Sequence, residues 1–166
     1  MITFRQMESA DITAGLSLCR AAGWNQLSRD WELFQRLCPA GGRVAVEEGG
    51  KVVGTVTTVR YQDHFSWIGM VLVDPAFRKM GIGIQLLKES LQILEAERTV
   101  KLDATPAGRE IYLKLDFVDE YPLSRMLCME ISGEKLPPSK ARTVRAEDFS
   151  RILEFDYRVF GADRKE

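Results

Sequence analysis

Residues Ser66–Leu87 read SWIGMVLVDPAFRKMGIGIQLL. The stretch runs from an apolar strand, Phe65 to Val73, through Asp74-Pro75 into a glycine-spaced loop and then a helix. Such a layout presents unbonded backbone amides at the start of a helix, where the positive end of the helix dipole also points. Phosphate and pyrophosphate groups suit that arrangement. Gly81 and Gly83 let the chain bend and let a ligand approach the backbone closely. Arg78 and Lys79 add positive charge beside the same amides. No Gly-x-x-x-x-Gly-Lys-[Ser/Thr] sequence is present, and Gly81 comes six residues after Pro75 rather than directly after the strand. A Walker A loop and a dinucleotide fingerprint are therefore excluded.

The order Val73-Asp74-Pro75, Arg78-x-x-Gly81-x-Gly83 resembles motif A of the GNAT superfamily of N-acetyltransferases. The resemblance implies an α/β GNAT acyl-CoA N-acyltransferase fold, a mixed central sheet with helices on both faces, and acetyl-CoA as cofactor. It assigns the backbone of Val71, Leu72 and Val73 to the pantetheine arm. The amides from Arg78 through Lys79, Met80, Gly81, Ile82 and Gly83 to Ile84 fall to the pyrophosphate.

A second stretch, Leu102–Val118 (LDATPAGREIYLKLDFV), resembles the GNAT segment Asn-x-x-Ala-x-x-Leu-Tyr-x-x-x-Gly-Phe. Tyr112 takes the tyrosine place and becomes the candidate general acid, since a phenol can protonate a leaving thiolate. Thr105 stands where Asn is usual, and its hydroxyl can bond backbone or cofactor. Gly108 replaces Ala. Asp116 replaces Gly and tolerates a left-handed cap better than most residues. The strand from Ser66 to Val73 carries no acid. Asp103, close to the cofactor strand, and Asp63 and His64, on a turn, remain as candidate bases; water-assisted deprotonation is expected, and a steep loss of rate in Asp103→Asn with unchanged acetyl-CoA affinity would name Asp103 instead. Trp24, Asn25, Trp31 and Tyr61 are the marked residues for an acceptor pocket; the two tryptophans serve equally well as core anchors.

The rest of the chain fits this reading. A strand at Ile2–Met7 precedes two helices, from Asp11 and from Ser28. A hairpin follows, Arg43–Glu47 and Val52–Tyr61. Leucines 86, 87, 91 and 94 repeat at helical spacing from Gly83 to about Arg98. A short strand at Val100–Ala104 and a helix from Pro106 come next, then strands at Phe117–Val118 and Ser124–Ser132. The expected organisation is a GNAT domain over residues 1–135, a proline-containing linker over 136–142, and a strand–helix stub over 143–166. The stub echoes the start of the chain: Asp148–Leu153 (DFSRIL) matches Asp11–Leu16 (DITAGL), and Thr143–Arg145 matches Thr3–Arg5 across a loop shorter by three residues. A second GNAT-like unit, so that the whole is a tandem, is one expectation. A single extra helix over Asp148–Phe160 packed on the domain is the other.

Composition narrows the function further. The chain has 166 residues, 45% hydrophobic and 28% charged, enough for one full core. Its net charge of −1 lacks the basic excess of a nucleic-acid footprint. No apolar run reaches membrane-spanning length and the start lacks a signal-peptide pattern, so a cytoplasmic protein without membrane partners is expected. Cys19, Cys38 and Cys128 are an odd set without metal-ligand spacing. The expected partners are acetyl-CoA and the amine of a small molecule or peptide. A non-catalytic CoA-binding module is the rival reading, and a homodimer is one arrangement the sequence allows.

Overall fold

A computed structural model of the chain describes residues 1–62, 64–126, 128–129 and 140–165. They form two compact units, Met1–Asp103 and Ala104–Glu166.

The first unit is built on a five-stranded sheet in the order β1 (Ile2–Gln6), β2 (Arg43–Glu47), β3 (Val52–Tyr61), β4 (Phe65–Val73), β5 (Val100–Leu102). The first four strands pair antiparallel; β5 joins β4 in parallel. This is the mixed sheet expected. The β-branched run of β3 accounts for its central place, because such side chains pack well on a pleated, buried surface. Helices α1 (Ile12–Ala21) and α2 (Ser28–Leu37) cover one face. There Leu18, Cys19 and Trp31 pack with Val44, Met70 and Leu72. Helix α3 (Ile82–Ile93) covers the other, its Ile82 and Leu86 lying over Gly54. A Cβ on Gly54 would stand 3.0 Å from Leu86 and 3.1 Å from Ile82, so the missing side chain is what lets α3 seat.

Helix α3 stops at Ile93, short of the expected Arg98. Arg60 of β3 supplies the reason. Its Nη2 donates to the Ile93 carbonyl (2.7 Å) and its Nε to Glu97 (2.8 Å). The guanidinium thereby satisfies one of the acceptors that a helix leaves without a partner at its C-terminus. At the other end of the unit, Arg5 donates two bonds to Asp11 (2.7 and 2.8 Å). The same carboxylate accepts the Glu8 amide (2.8 Å) and so fixes the 3-10 turn, Ser9–Asp11, that leads into α1.

The second unit contains α4 (Pro106–Tyr112), a 3-10 turn at Leu113–Leu115, and α5 (Phe149–Phe160). Asp116 takes the left-handed conformation read for it (φ 63°). The strands expected at Phe117–Val118 and at 124–132 do not appear among the described residues; Leu127 and 130–132 lie outside them. Strand geometry is held by pairing, and the described residues of this unit include no strand to pair with. Val118, Leu123 and Met126 are accordingly exposed. Thr143–Arg145 is likewise not in a strand, for the same reason. The expected linker lies partly outside the described residues, at 136–139.

Candidate active site

The candidate site in the first unit is built around an irregularity in β4. Thr55 pairs with Leu72 and Thr57 with Gly69, so two residues of β4, Met70 and Val71, oppose Val56 alone. That is a β-bulge, and Met70 adopts φ 53° to make it. The Thr55 hydroxyl donates to the Met70 carbonyl (2.9 Å) and holds the bulge in place.

The bulge reverses which edge of β4 each amide faces. The Ser66 amide donates toward the β5 side, to Thr99 (2.9 Å). The Asp74 amide donates toward β3, to Val53 (2.8 Å). In a regular strand two residues an even number apart face the same way. The inserted residue turns Leu72 and Asp74 toward β3 and Val71 and Val73 toward the β5 side. There β5 has already left: its register with β4 covers only Ser66, Trp67 and Ile68. The β5-side edge at Val71 and Val73 thus has no strand beside it among the described residues. An extended ligand can add to such an edge as a strand would.

The loop after β4 continues the same surface. Asp74 caps a 3-10 turn at Pro75–Phe77, accepting from Ala76 (3.0 Å) and from Lys51 (2.7 Å). The Lys51 ammonium, and then the Ala76 amide, hold the Asp74 carboxyl below the usual carboxylate range. Arg78 reaches back so that its Nε donates to the Val73 carbonyl (3.3 Å). Lys79 and Gly81 both have positive φ, 65° and 79°, and Gly81 is the N-cap of α3. Alternation of left-handed with ordinary residues turns successive amides inward, and the first-turn amides of Ile82, Gly83 and Ile84 continue the row. Arg78, Lys79, Met80 and Gly81 are exposed, and a Cβ on Gly81 would meet nothing within 4 Å. The loop is exposed, carries Arg78 and Lys79, and leads into the free first-turn amides of α3, a combination that suits a pyrophosphate.

The other expected site residues divide between the units. Asp103 is exposed and directly follows Leu102, the last residue of β5 in register with β4, so it stands where the two strands part. Thr105 and Tyr112 belong to the second unit. The Thr105 hydroxyl accepts the Gly108 amide (3.1 Å) as the N-cap of α4. The Tyr112 ring lies across Gly108: a Cβ there would be 3.1 Å from its Cε2, Cζ and Oη. It packs on Phe117 at a centroid distance of 6.1 Å. Burial pushes the Tyr112 phenol up, so its Oη keeps its proton past the ordinary range.

Of the residues marked for acceptor binding, Trp31 is fully buried against Gly15 and is a core anchor rather than a pocket wall. Trp24 packs partly against the same cluster, while Asn25 beside it is exposed. Tyr61 packs against Phe65 in a tilted pair, ring centroids 5.4 Å apart, at the far end of the β3–β4 ladder from the bulge. Asp63 lies outside the described residues. Nothing in the local sequence motifs marks Thr55 and Met70 as functional. The signal that could have found them is a glycine at 54 and another at 69 inside otherwise strand-forming runs, a mark of bulges and close backbone approach.

Comparison with known proteins gives the class. The sequence model of the Acetyltransferase (GNAT) family matches residues 12–117, well over half of the chain, and the protein belongs to that family. Holothin acyltransferase of Pseudoalteromonas sp. (strain SANK 73390) is 29% identical over 112 residues, covering 68% of this chain and 37% of that protein. Uncharacterized N-acetyltransferase YitH of Bacillus subtilis (strain 168) is 22% identical over 162 residues, covering 96% of this chain and 56% of YitH. Among solved structures, a Clostridium acetobutylicum protein assigned as an acetyltransferase and crystallised with acetyl-CoA superposes with a TM-score of 0.61 at 18% identity. That match covers 76% of this chain and 96% of that one, and shows the shared fold. The chain spans about a third to a little over half the length of the two curated relatives.

Proposed function

We propose that the protein is an acetyl-CoA-dependent N-acetyltransferase acting on the amine of a small molecule or peptide. One observation carries this reading: the bulge at Met70 turns the amides of Val71 and Val73 onto a β4 edge that β5 has vacated, and that edge leads directly into the amide nest at Lys79–Ile84. An edge for an extended amide-bearing arm and a nest for two phosphates, in that order, match the chemistry of coenzyme A. The residues present fit the group. Acetyl-CoA, when bound, supplies an activated acetyl thioester.

The chain's own residues do the rest. Val71 and Val73 orient the arm through backbone hydrogen bonds. Arg78, Lys79 and the amides of Gly81 to Ile84 bind the phosphates. Tyr112 Oη retains a proton at neutral pH and is the proposed donor. Asp103 is the proposed acceptor of the amine proton, directly or through a water.

The test is thermal melting with and without acetyl-CoA. At a ligand concentration 100 times Kd, binding to the folded state alone adds about 2.7 kcal/mol and raises the midpoint. Gly81→Glu places a carboxylate in the nest and should abolish the shift, whereas Gly81→Asn, which tolerates positive φ, should preserve part of it. No shift in the wild type at saturating ligand overturns the cofactor assignment. A shift without turnover on an amine panel favours the non-catalytic CoA-binding module instead.

A further inference from the structure

Residues 142–148 repeat, atom for atom in their Arg–Asp contacts, the way the first unit begins at residues 5–11. Arg142 donates two bonds to Asp148 (2.6 and 2.5 Å). Asp148 also accepts the Arg145 amide at 2.8 Å, and Arg142 Nη1 bonds the Thr143 carbonyl at 3.0 Å. Each contact has its twin around Arg5 and Asp11: the Glu8 amide at 2.8 Å and the Gln6 carbonyl at 3.0 Å. The residues before the two 3-10 turns share one conformation, φ −111°, ψ 163° at Glu8 and φ −115°, ψ 164° at Arg145. The equivalence runs at one constant offset. Arg142, not Arg145, takes the place of Arg5, and the shorter loop read from the sequence is not needed.

That offset maps the core-facing side of α1 onto α5. Met7, Ile12 and Leu18, which belong to or pack on the core of the first unit, become Val144, Phe149 and Phe155. Gly15 becomes Ile152 and Ala22 becomes Val159. These positions stay apolar, although the buried Cys19 becomes Asp156, paired with Arg164, and they lose their cover: Val144, Phe149, Ile152, Phe155 and Val159 are exposed by 44% to 70%. An open groove of about 610 Å³ lies along this face, its floor apolar at Val144, Ile152 and Phe155 and its remaining lining the five charged side chains of Arg142, Asp148, Arg151, Glu154 and Arg158. A 12-residue helix is marginal in water without a packed face.

We infer that residues 142–160 are the opening segment of a second α/β unit in the same polypeptide, and that the apolar face of α5 is where that unit's sheet docks. The occupant is fixed by what covers the twin surface: in the first unit a sheet face bearing Val44, Met70 and Leu72 does so. It must differ in one respect. Trp31 lies 2.8 Å from where a Cβ on Gly15 would be, and Ile152 fills that place in α5, so the helix that packs beside α5 as α2 does beside α1 must carry a smaller residue there. YitH, matched over 96% of this chain, is longer than the match, with 44% of its length outside it.

Hydrogen exchange tests this, because it reads α5 itself and does not depend on acetyl-CoA. Amides of 149–160 would be followed in the 166-residue chain and in the longer gene product that continues it, with those of α1 as internal reference. Protection of α5 should rise at least 100-fold in the longer protein, and Phe155→Asp should remove that gain while leaving α1 unchanged. Equal exchange in both proteins overturns the inference. So does a gene product with no further residues. Concentration-dependent protection in the 166-residue chain, with a dimer mass by sedimentation, would make a second copy the occupant and overturn it as well.

Discussion

The Thr55 hydroxyl donates to the carbonyl of Met70 at 2.9 Å, and that bond sits where β4 carries its extra residue. Both residues are buried. Thr55→Val keeps the shape and removes the donor, leaving the carbonyl to its remaining partners. The expected loss is about 1–3 kcal/mol by denaturant titration. The functional loss should exceed it, since the bulge aims the Val71 and Val73 amides: acetyl-CoA affinity by calorimetry should fall at least tenfold in a variant still fully folded. Thr55→Ser restores the donor and should recover most of it. Unchanged affinity in Thr55→Val would mean the bulge holds without the hydroxyl.

Tyr112 and Gly108 form a second pair with a measurable consequence. A methyl at 108 would press on the ring at 3.1 Å and displace it by a few tenths of an ångström. Gly108→Ala should therefore lower kcat with little effect on acetyl-CoA affinity, and Tyr112→Phe should lower kcat by about 10²–10⁴-fold, the range of a lost general acid. Burial raises the phenol above its usual value near 10, so no alkaline loss of rate from this group is expected below about pH 10. An alkaline limb that survives in Tyr112→Phe belongs to another group.

The two Arg–Asp clamps differ in surroundings and should differ in effect. Asp11 is buried, and the Arg5 guanidinium holds its carboxyl below the ordinary range. A lowered carboxyl favours the fold above the unfolded value near 3.9, and that contribution is lost as pH falls through the folded value. Asp11→Asn should flatten the acid limb of stability and cost about 1.5–3 kcal/mol at pH 7, the range for a hydrogen bond to a charged group. Asp148→Asn, on the exposed clamp, should leave the melting of the first unit unchanged. A comparable loss in Asp148→Asn would show that the two units are not energetically separate.

The sequence made the glycine loop and most of the sheet legible because both rest on local rules. Val52–Tyr61 is β-branched, Arg43–Glu47 and Val52 flank a Glu-Gly-Gly-Lys turn, and Gly81 is a residue that a left-handed N-cap favours. What it did not show depends on distant partners. The end of α3 is set by Arg60, 33 residues away from Ile93. The bulge at Met70 is set by Thr55 on another strand. Phe117–Val118 has strand composition, yet composition forms a strand only beside another one. Trp31 has the same propensities in a pocket wall as in a core, and only the absence of a side chain at Gly15 decides between them.

That last contact is open to a direct measurement. Trp31 Cη2 and Cζ2 lie 2.8 Å from the Cβ position of Gly15, within a core that also holds Leu18 and Cys19. Trp31→Ala should cost about 3–5 kcal/mol as a cavity mutation. Gly15→Ala inserts a methyl where no space exists and should cost about 1–3 kcal/mol through overpacking. Replacing the indole by a smaller ring removes the clash, so Gly15→Ala should be better tolerated on a Trp31→Phe background than on the wild type. The double-mutant cycle should give a coupling of about 0.5–3 kcal/mol with the sign of rescue. Additive losses would mean the helix pair relieves the clash by moving apart. If Trp31 instead lined the acceptor pocket, Trp31→Phe would change KM for the amine more than it changes stability; a core anchor predicts the reverse.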